Sequence, residues 1–249
     1  MAPLRCAAKP DSAGVDAVAL RPLAEPPQCT RVRGVRTDEH EPTRYPSPVL
    51  IQGFPAGPWG TNCWVIAPAK GEDAIVVDPG FAAESALRDV LRDNRLRAVA
   101  VVLTHGHMDH VWSVVPVCAE YAVPAYIHPD DAERLANPNA FMSVAMRESI
   151  LASTGGQLET AEPDDVRVLA DGQVISVAGL ELRPMHTPGH TPGSTVFAVA
   201  SSGEGAEHLI SGDVLFNNGI GRTDLVGGDG VAMAKSLARM MTTYDDGMM

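Results

Sequence analysis

The chain is 249 residues long, 45% hydrophobic, with a formal charge of −12 and a pI near 5.0. That length supports one sizeable core, and the acidity argues against a nucleic-acid surface, which needs clustered Lys and Arg. No apolar run reaches the roughly 18 residues of a membrane span, and no apolar h-region opens the chain, so a cytoplasmic protein without a signal peptide or membrane partner is expected.

Residues 1–48 hold eight prolines, seven Lys/Arg and six Asp/Glu without periodicity, and read as a disordered N-terminal extension. The folded domain is expected over 49–249. Cys6, Cys29, Cys63 and Cys118 form no C-x-x-C pair and read as reduced thiols. "VLIQGFPAG" and "NCWVIAP" are short β-like runs around the turn signals Gly57-Pro58 and Gly60. "DAIVVDPG" predicts a buried strand over Ala74–Val77, ending at Asp78. "AAESALRDVLRDN" sets Ala82, Leu87, Val90 and Leu91 at helical spacing. "LRAVAVVLTH" is a continuous apolar run, as in a strand covered on both faces. "VWSVVPVCAEYAV" predicts one helix, "PAYIHP" a short strand, and "PDDAERLAN" a helix with an acidic first turn. Residues 137–163 are ambiguous, with a helix placed near Phe141–Ala152. "VRVLA", "QVISVAG", "LELRPMH", "STVFAVA" and "HLISGD" then follow as a hairpin meander. The glycine-rich loop "NNGIGRTDLVGGDG" leads to a last helix over about Val231–Tyr244. The first half alternates strand and helix and the second is a meander, which predicts two sheets face to face with helices outside.

The chemistry concentrates in "THGHMDH". His105, His107, Asp109 and His110 follow a buried strand and supply imidazole and carboxylate, the ligands that zinc and related ions take. An irregular loop can aim His105 and His107 at one ion and leave Asp109 and His110 for another. "HTPGHTPGS" adds His186 and His190 in a loop made tight by Pro and Gly. Asp213 ends the strand of "LISGDVLF"; a lone Asp there is as often a turn or helix cap as a ligand. His40, His128 and His208 read as structural or solvent-facing.

Taken in order, "VDPG", "THGHMDH", "TPGHTPGS", "SGDVLF" and "GRTDL" with "GGD" resemble the metallo-β-lactamase-fold hydrolases, and the last two most resemble their glyoxalase II-like, short-form branch. The resemblance covers about residues 49–245 and implies a four-layer αββα sandwich of α/β (α+β) class. It implies a first metal site of His105, His107 and His190, a second using Asp109 and His110, and Asp213 bridging them. Asp78 would orient these ligands from behind, as outer carboxylates commonly do. Arg222 and Asp224 would brace their loop by pairing or capping, or contact substrate. His186 has no ligand role in this pattern and reads as a strand-end histidine.

The family's late "PGHG"-like histidine has no counterpart, so the fold is expected to lack its last strand and helix and the second site one nitrogen ligand. The implied activity is hydrolysis of a small-molecule substrate, a thioester, by a metal-activated hydroxide on one or two Zn²⁺ ions, with Fe or Mn as substitutes; Asp109 and Asp213 are the candidate catalytic carboxylates. Two other readings stand beside it. One is a mononuclear non-haem iron persulfide dioxygenase using His105, His190 and Asp213. The other is a truncated, inactive metal-binding remnant. No motif encodes the acyl group, the native metal or the oligomeric state.

Overall fold

The computed structural model describes residues 49–156, 162–201 and 208–244. The extension read over residues 1–48 lies outside the described residues.

A six-stranded sheet comes first, in the order β1 (Leu50–Ala56), β2 (Thr61–Ala67), β3 (Asp73–Val77), β4 (Arg97–Val102), β5 (Ala125–Ile127) and β6 (Val166–Val168). β1, β2 and β3 pair antiparallel through tight turns. From β3 to β6 the pairing is parallel. Parallel neighbours need long crossovers. These hold α1 (Glu84–Asn94), α2 (Met108–Val111), α3 (Val114–Tyr121), α4 (Pro129–Ala136) and α5 (Val144–Ser153). A second sheet has the order β10 (His208–Ile210), β9 (Thr195–Ser201), β8 (Leu180–His186) and β7 (Ile175–Val177), all antiparallel. A small hairpin, β11 (Leu215–Phe216) and β12 (Gly219–Ile220), precedes α6 (Gly230–Thr243).

The period-2 alternation of strand side chains explains the layers. Ile66, Ile75, Val77 and Val102 point from the first sheet onto Leu180, Leu182, Phe197 and Val199 of the second. Their neighbours Val65, Val76, Val101 and Leu103 point the other way, onto Leu87, Leu91, Val114 and Val117 of the helices. Both faces of this sheet are thus covered, which is why its strands read as unbroken apolar runs. On the far side, Met185 and Val196 meet Met233 and Met240 of α6. The result is helices, sheet, sheet, helix: the expected αββα sandwich. Among the described residues no helix is long and apolar enough to cross a membrane.

Four local expectations change. "VRVLA" is not in the meander; β6 joins the first sheet, parallel to β5 with Ala125 opposite Val166. Ala82 is exposed at φ 53, before the helix, and the buried Ala83 takes the N-cap. The single helix expected over residues 111–123 is divided: α2 ends at Val111 and α3 begins at Val114, because Ser113 leaves helical geometry at φ −93 and ψ 11. Its hydroxyl accepts the Ala83 amide and its own amide donates to the Pro79 carbonyl, joining this break to the Asp78 loop. The glycine-rich loop contributes β12, which pairs back onto β11 just before it.

Candidate metal centre

The loops that follow β3, β4, β8 and β10 all open at one end of the sandwich, where rigid strands hold irregular backbone in place. Asp78 follows β3 at φ 50, a left-handed conformation that aspartate tolerates. Its carboxylate is buried and accepts three groups. The Thr104 amide donates to Oδ1 at 2.8 Å, and the Thr104 hydroxyl to Oδ2 at 2.6 Å. His110 Nδ1 lies 2.9 Å from the same Oδ2.

These contacts set the histidine tautomers. A carboxylate only accepts, so His110 donates from Nδ1 and turns its Nε2 inward. The Thr104 proton is engaged on Asp78, so its oxygen accepts His105 Nδ1–H at 3.0 Å. His190 Nδ1 donates to the Arg222 carbonyl at 2.7 Å. The inward Nε2 atoms of His105 and His190 are thereby bare, the condition that metal-ligating imidazoles require, while His110 Nε2 faces Asp213 and would give up its proton to an ion.

His105 Nε2 stands 3.1 Å from His107 Nδ1, which stands 2.9 Å from His190 Nε2. Two bonds of about 2.0–2.1 Å at a tetrahedral angle would put such nitrogens roughly 3.3 Å apart. The three donors therefore fit one divalent ion of zinc's size. A second group forms beside them. His110 Nε2 lies 3.2 Å from Asp213 Oδ1 and 3.6 Å from Asp109 Oδ2. Asp213 Oδ2 lies 3.5 Å from His190 Nε2, so its carboxylate spans the two groups. The Thr61 hydroxyl holds Asp109 Oδ2 at 2.7 Å. His105, His107, Asp109, His110, His190 and Asp213 are thus brought together here, and His186 is not.

The electrostatics follow from burial and neighbours. Burial pushes His105 well below the ordinary imidazole range, and the other three histidines push it further. Burial likewise holds His107 down at about 4. Burial also opposes charge on His110, but Asp78, Asp213 and Asp109 outweigh it and hold this imidazole well above its ordinary range. Asp213 is pulled below the usual carboxylate range, because His110 outweighs its burial. The centre thus holds neutral donors on one side and a cation-seeking carboxylate set on the other.

One residue that organises the site escaped sequence reasoning. Asp131, in the first turn of α4, is fully buried. It accepts the Gly106 amide at 2.8 Å, the Thr191 hydroxyl at 2.6 Å and the Gly193 amide at 3.0 Å. Arg134 Nε adds a bond at 3.1 Å and its Nη2 reaches the Val226 carbonyl. One ion pair therefore fixes both histidine loops and the loop after Asp224. "PDDAERLAN" had read as an ordinary acidic helix start. The Arg222–Asp224 pair is present, two bonds of 2.7 Å on the surface, and the Arg222 backbone does the holding of His190.

His128, Asp130 and His186 make a third grouping of metal-binding residue types. The His128 and His186 rings stack 3.9 Å apart, tilted by 14°. Lone pairs of near-parallel rings do not converge on one point. His186 Nε2 is 2.7 Å from the Pro192 carbonyl, and His128 Nδ1 caps α4 by accepting the Asp130 amide. This grouping is a structural brace, in keeping with the reading of both histidines.

Residues 56–247 match the family model of the metallo-β-lactamase superfamily. The chain belongs to that superfamily. Within this superfamily of metal-dependent hydrolases, an uncharacterized protein of Mycobacterium tuberculosis, Rv2581c, is 39% identical over 199 residues, 80% of this chain and 87% of its own. Hydroxyacylglutathione hydrolase GloC of Haemophilus influenzae is 26% identical over 211 residues, 79% of this chain and 86% of its own. Among solved structures, BLEG-1 B3 metallo-β-lactamase matches at TM-score 0.64 and 34% identity, covering 77% of this chain and 85% of that one. TTHA1623 in a di-iron-bound form matches at TM-score 0.62 and 30% identity, covering 78% and 87%.

Proposed function

We propose that this superfamily member is a glyoxalase II-like thioester hydrolase, taking a small-molecule substrate and using zinc, with iron or manganese as substitutes. The observation that carries the reading is Asp213, whose two carboxylate oxygens face separate imidazole groups. The likeness to a hydroxyacylglutathione hydrolase supports the thioester class.

Bound metal would lower the pKa of a coordinated water from 15.7 toward about 7 and polarise the acyl oxygen. His105, His107 and His190 would hold the first ion, and His110, Asp109 and Asp213 the second. Asp109, steadied by Thr61, would orient the attacking water and accept a hydrogen bond from it. The water oxygen forms the new C–O bond, the C–S bond breaks, and the thiolate takes up a proton. The two described cysteines are poor nucleophiles: burial raises both the Cys63 and Cys118 thiols, the latter to about 12.

The test is turnover of S-lactoylglutathione and of simple thioesters by zinc-loaded protein, followed by loss of thioester absorbance. Absence of turnover by protein with measured full metal content overturns the reading. Oxygen uptake with a persulfide and iron-loaded protein would replace it with the dioxygenase.

A further inference from the structure

A cavity of about 530 Å³ opens beside the histidines. Its floor is the ligand group of His107, Asp109, His190 and Asp213. Its opposite wall is α5 and the turn before it. Ala145, Met146, Ser149 and Ile150 line it at i, i+1, i+4 and i+5, so one face of α5 is given to the cavity, and Met142 and Ser143 add to it from the turn before the helix. Phe141 and Trp59 extend the apolar lining.

Two guanidinium groups reach this cavity, and both already face carboxylates. Arg134, 2% exposed, is bonded to Asp131 and lies 4.4 Å over the Phe141 ring. Arg222 is held by both oxygens of Asp224. Asp109 and Asp213 make the floor acidic. A glutathione group would bring two carboxylates, and among the described residues no unpaired cation lines the cavity to receive them. Burying a charge without a partner is costly, whereas an apolar chain gains from leaving water. Methionine side chains adapt to ligands of varied shape.

We infer that the cavity takes a thioester with an apolar acyl chain, laid along Met142 and the Met146 face of α5 with its carbonyl carbon at the histidines, and does not select glutathione. This deepens the hydrolase reading and rests on it for the position of the carbonyl.

The experiment uses zinc-loaded full chain and four unreactive thioethers: the S-methyl and S-hexyl derivatives of glutathione and of N-acetylcysteamine, titrated by calorimetry. A buried methylene is worth about fourfold in affinity, so hexyl should bind at least roughly 30-fold tighter than methyl on both carriers. Glutathione and N-acetylcysteamine carriers should agree within about threefold. Met146→Glu, or Met146→Ser if the first variant misfolds, should erase the hexyl gain at unchanged zinc content. The inference is overturned if the glutathione pair binds more than about tenfold tighter, or if hexyl gains under about threefold, or if the gain survives both Met146 variants. Turnover is read separately. Tight hexyl binding without thioester hydrolysis removes the hydrolase reading and leaves the apolar cavity. Preference for lactoylglutathione over hexanoyl thioesters does the reverse.

Discussion

Asp131 and Thr191 stand 60 residues apart and meet at 2.6 Å, where the threonine hydroxyl donates to a carboxylate without solvent exposure. The other bonds of that carboxylate run to Gly106, Gly193 and Arg134, so one side chain registers two ligand-bearing loops against α4. Asp131→Ala leaves Arg134 buried without its partner, which costs about 3–5 kcal/mol. The urea midpoint should fall with an unchanged slope. Asp131→Asn keeps one acceptor and should cost less.

Asp78 touches no candidate ion position, yet it orients His110 directly and His105 through Thr104. Asp78→Asn suits the left-handed backbone and keeps the size. Outer partners of this kind are worth about 10–100-fold in metal affinity. Chelator competition should show a loss of that order, with a small change in the melting temperature of the apoprotein.

Gly221 is required by close approach: a Cβ there would overlap the Asp213 carbonyl oxygen. Gly221→Ala must displace the Asp213 loop, at a cost of about 1–3 kcal/mol, and should lower activity with it. Two residues earlier, a Cβ on Gly219 would meet nothing within 4 Å. Gly219→Ala should therefore leave metal affinity and turnover unchanged, which makes it the control.

The apoprotein should lose stability in acid through His107. Its imidazole is held at about 4, below the ordinary 6.5, so between these values the unfolded chain binds more protons than the native one. Stability contributed there is intact above pH 6.5 and is lost as pH falls toward 4, at up to about 1.4 kcal/mol per pH unit. His110 carries the opposite sign, being raised. The diagnostic quantity is thus the difference between wild type and His107→Gln, which should shrink as calorimetric scans move from pH 7 to pH 5.

Much of this architecture is legible in the chain. Strands β2 to β4 announce themselves because both faces are covered, and "THGHMDH" does so because His105, His107, Asp109 and His110 are crowded into six positions. What stayed hidden depends on partners distant in sequence. β6 shows the same residue pattern whether it pairs with β5 or β7. Asp131 looks like any acidic residue in a first turn, where it would favour the helix dipole. α5 puts Met146 and the buried Ile150 on a cavity, with Met142 just before the helix, so its apolar residues do not form the single stripe of a surface helix. Ala82 has the right spacing for α1 but stands just before its N-cap, in a left-handed conformation.

The spacing of the ligand candidates has a kinetic consequence. His105, His107 and His110 are local enough to chelate an ion in a chain that has not folded, whereas His190 stands 83 residues beyond His107 and arrives only when the second sheet docks. Zinc present from the start meets a partial chelator, and metal held by unfolded chain subtracts from the stabilisation that it gives the native state. Refolding in chelator with zinc supplied afterwards should therefore be faster, and recover more soluble protein, than refolding in excess zinc.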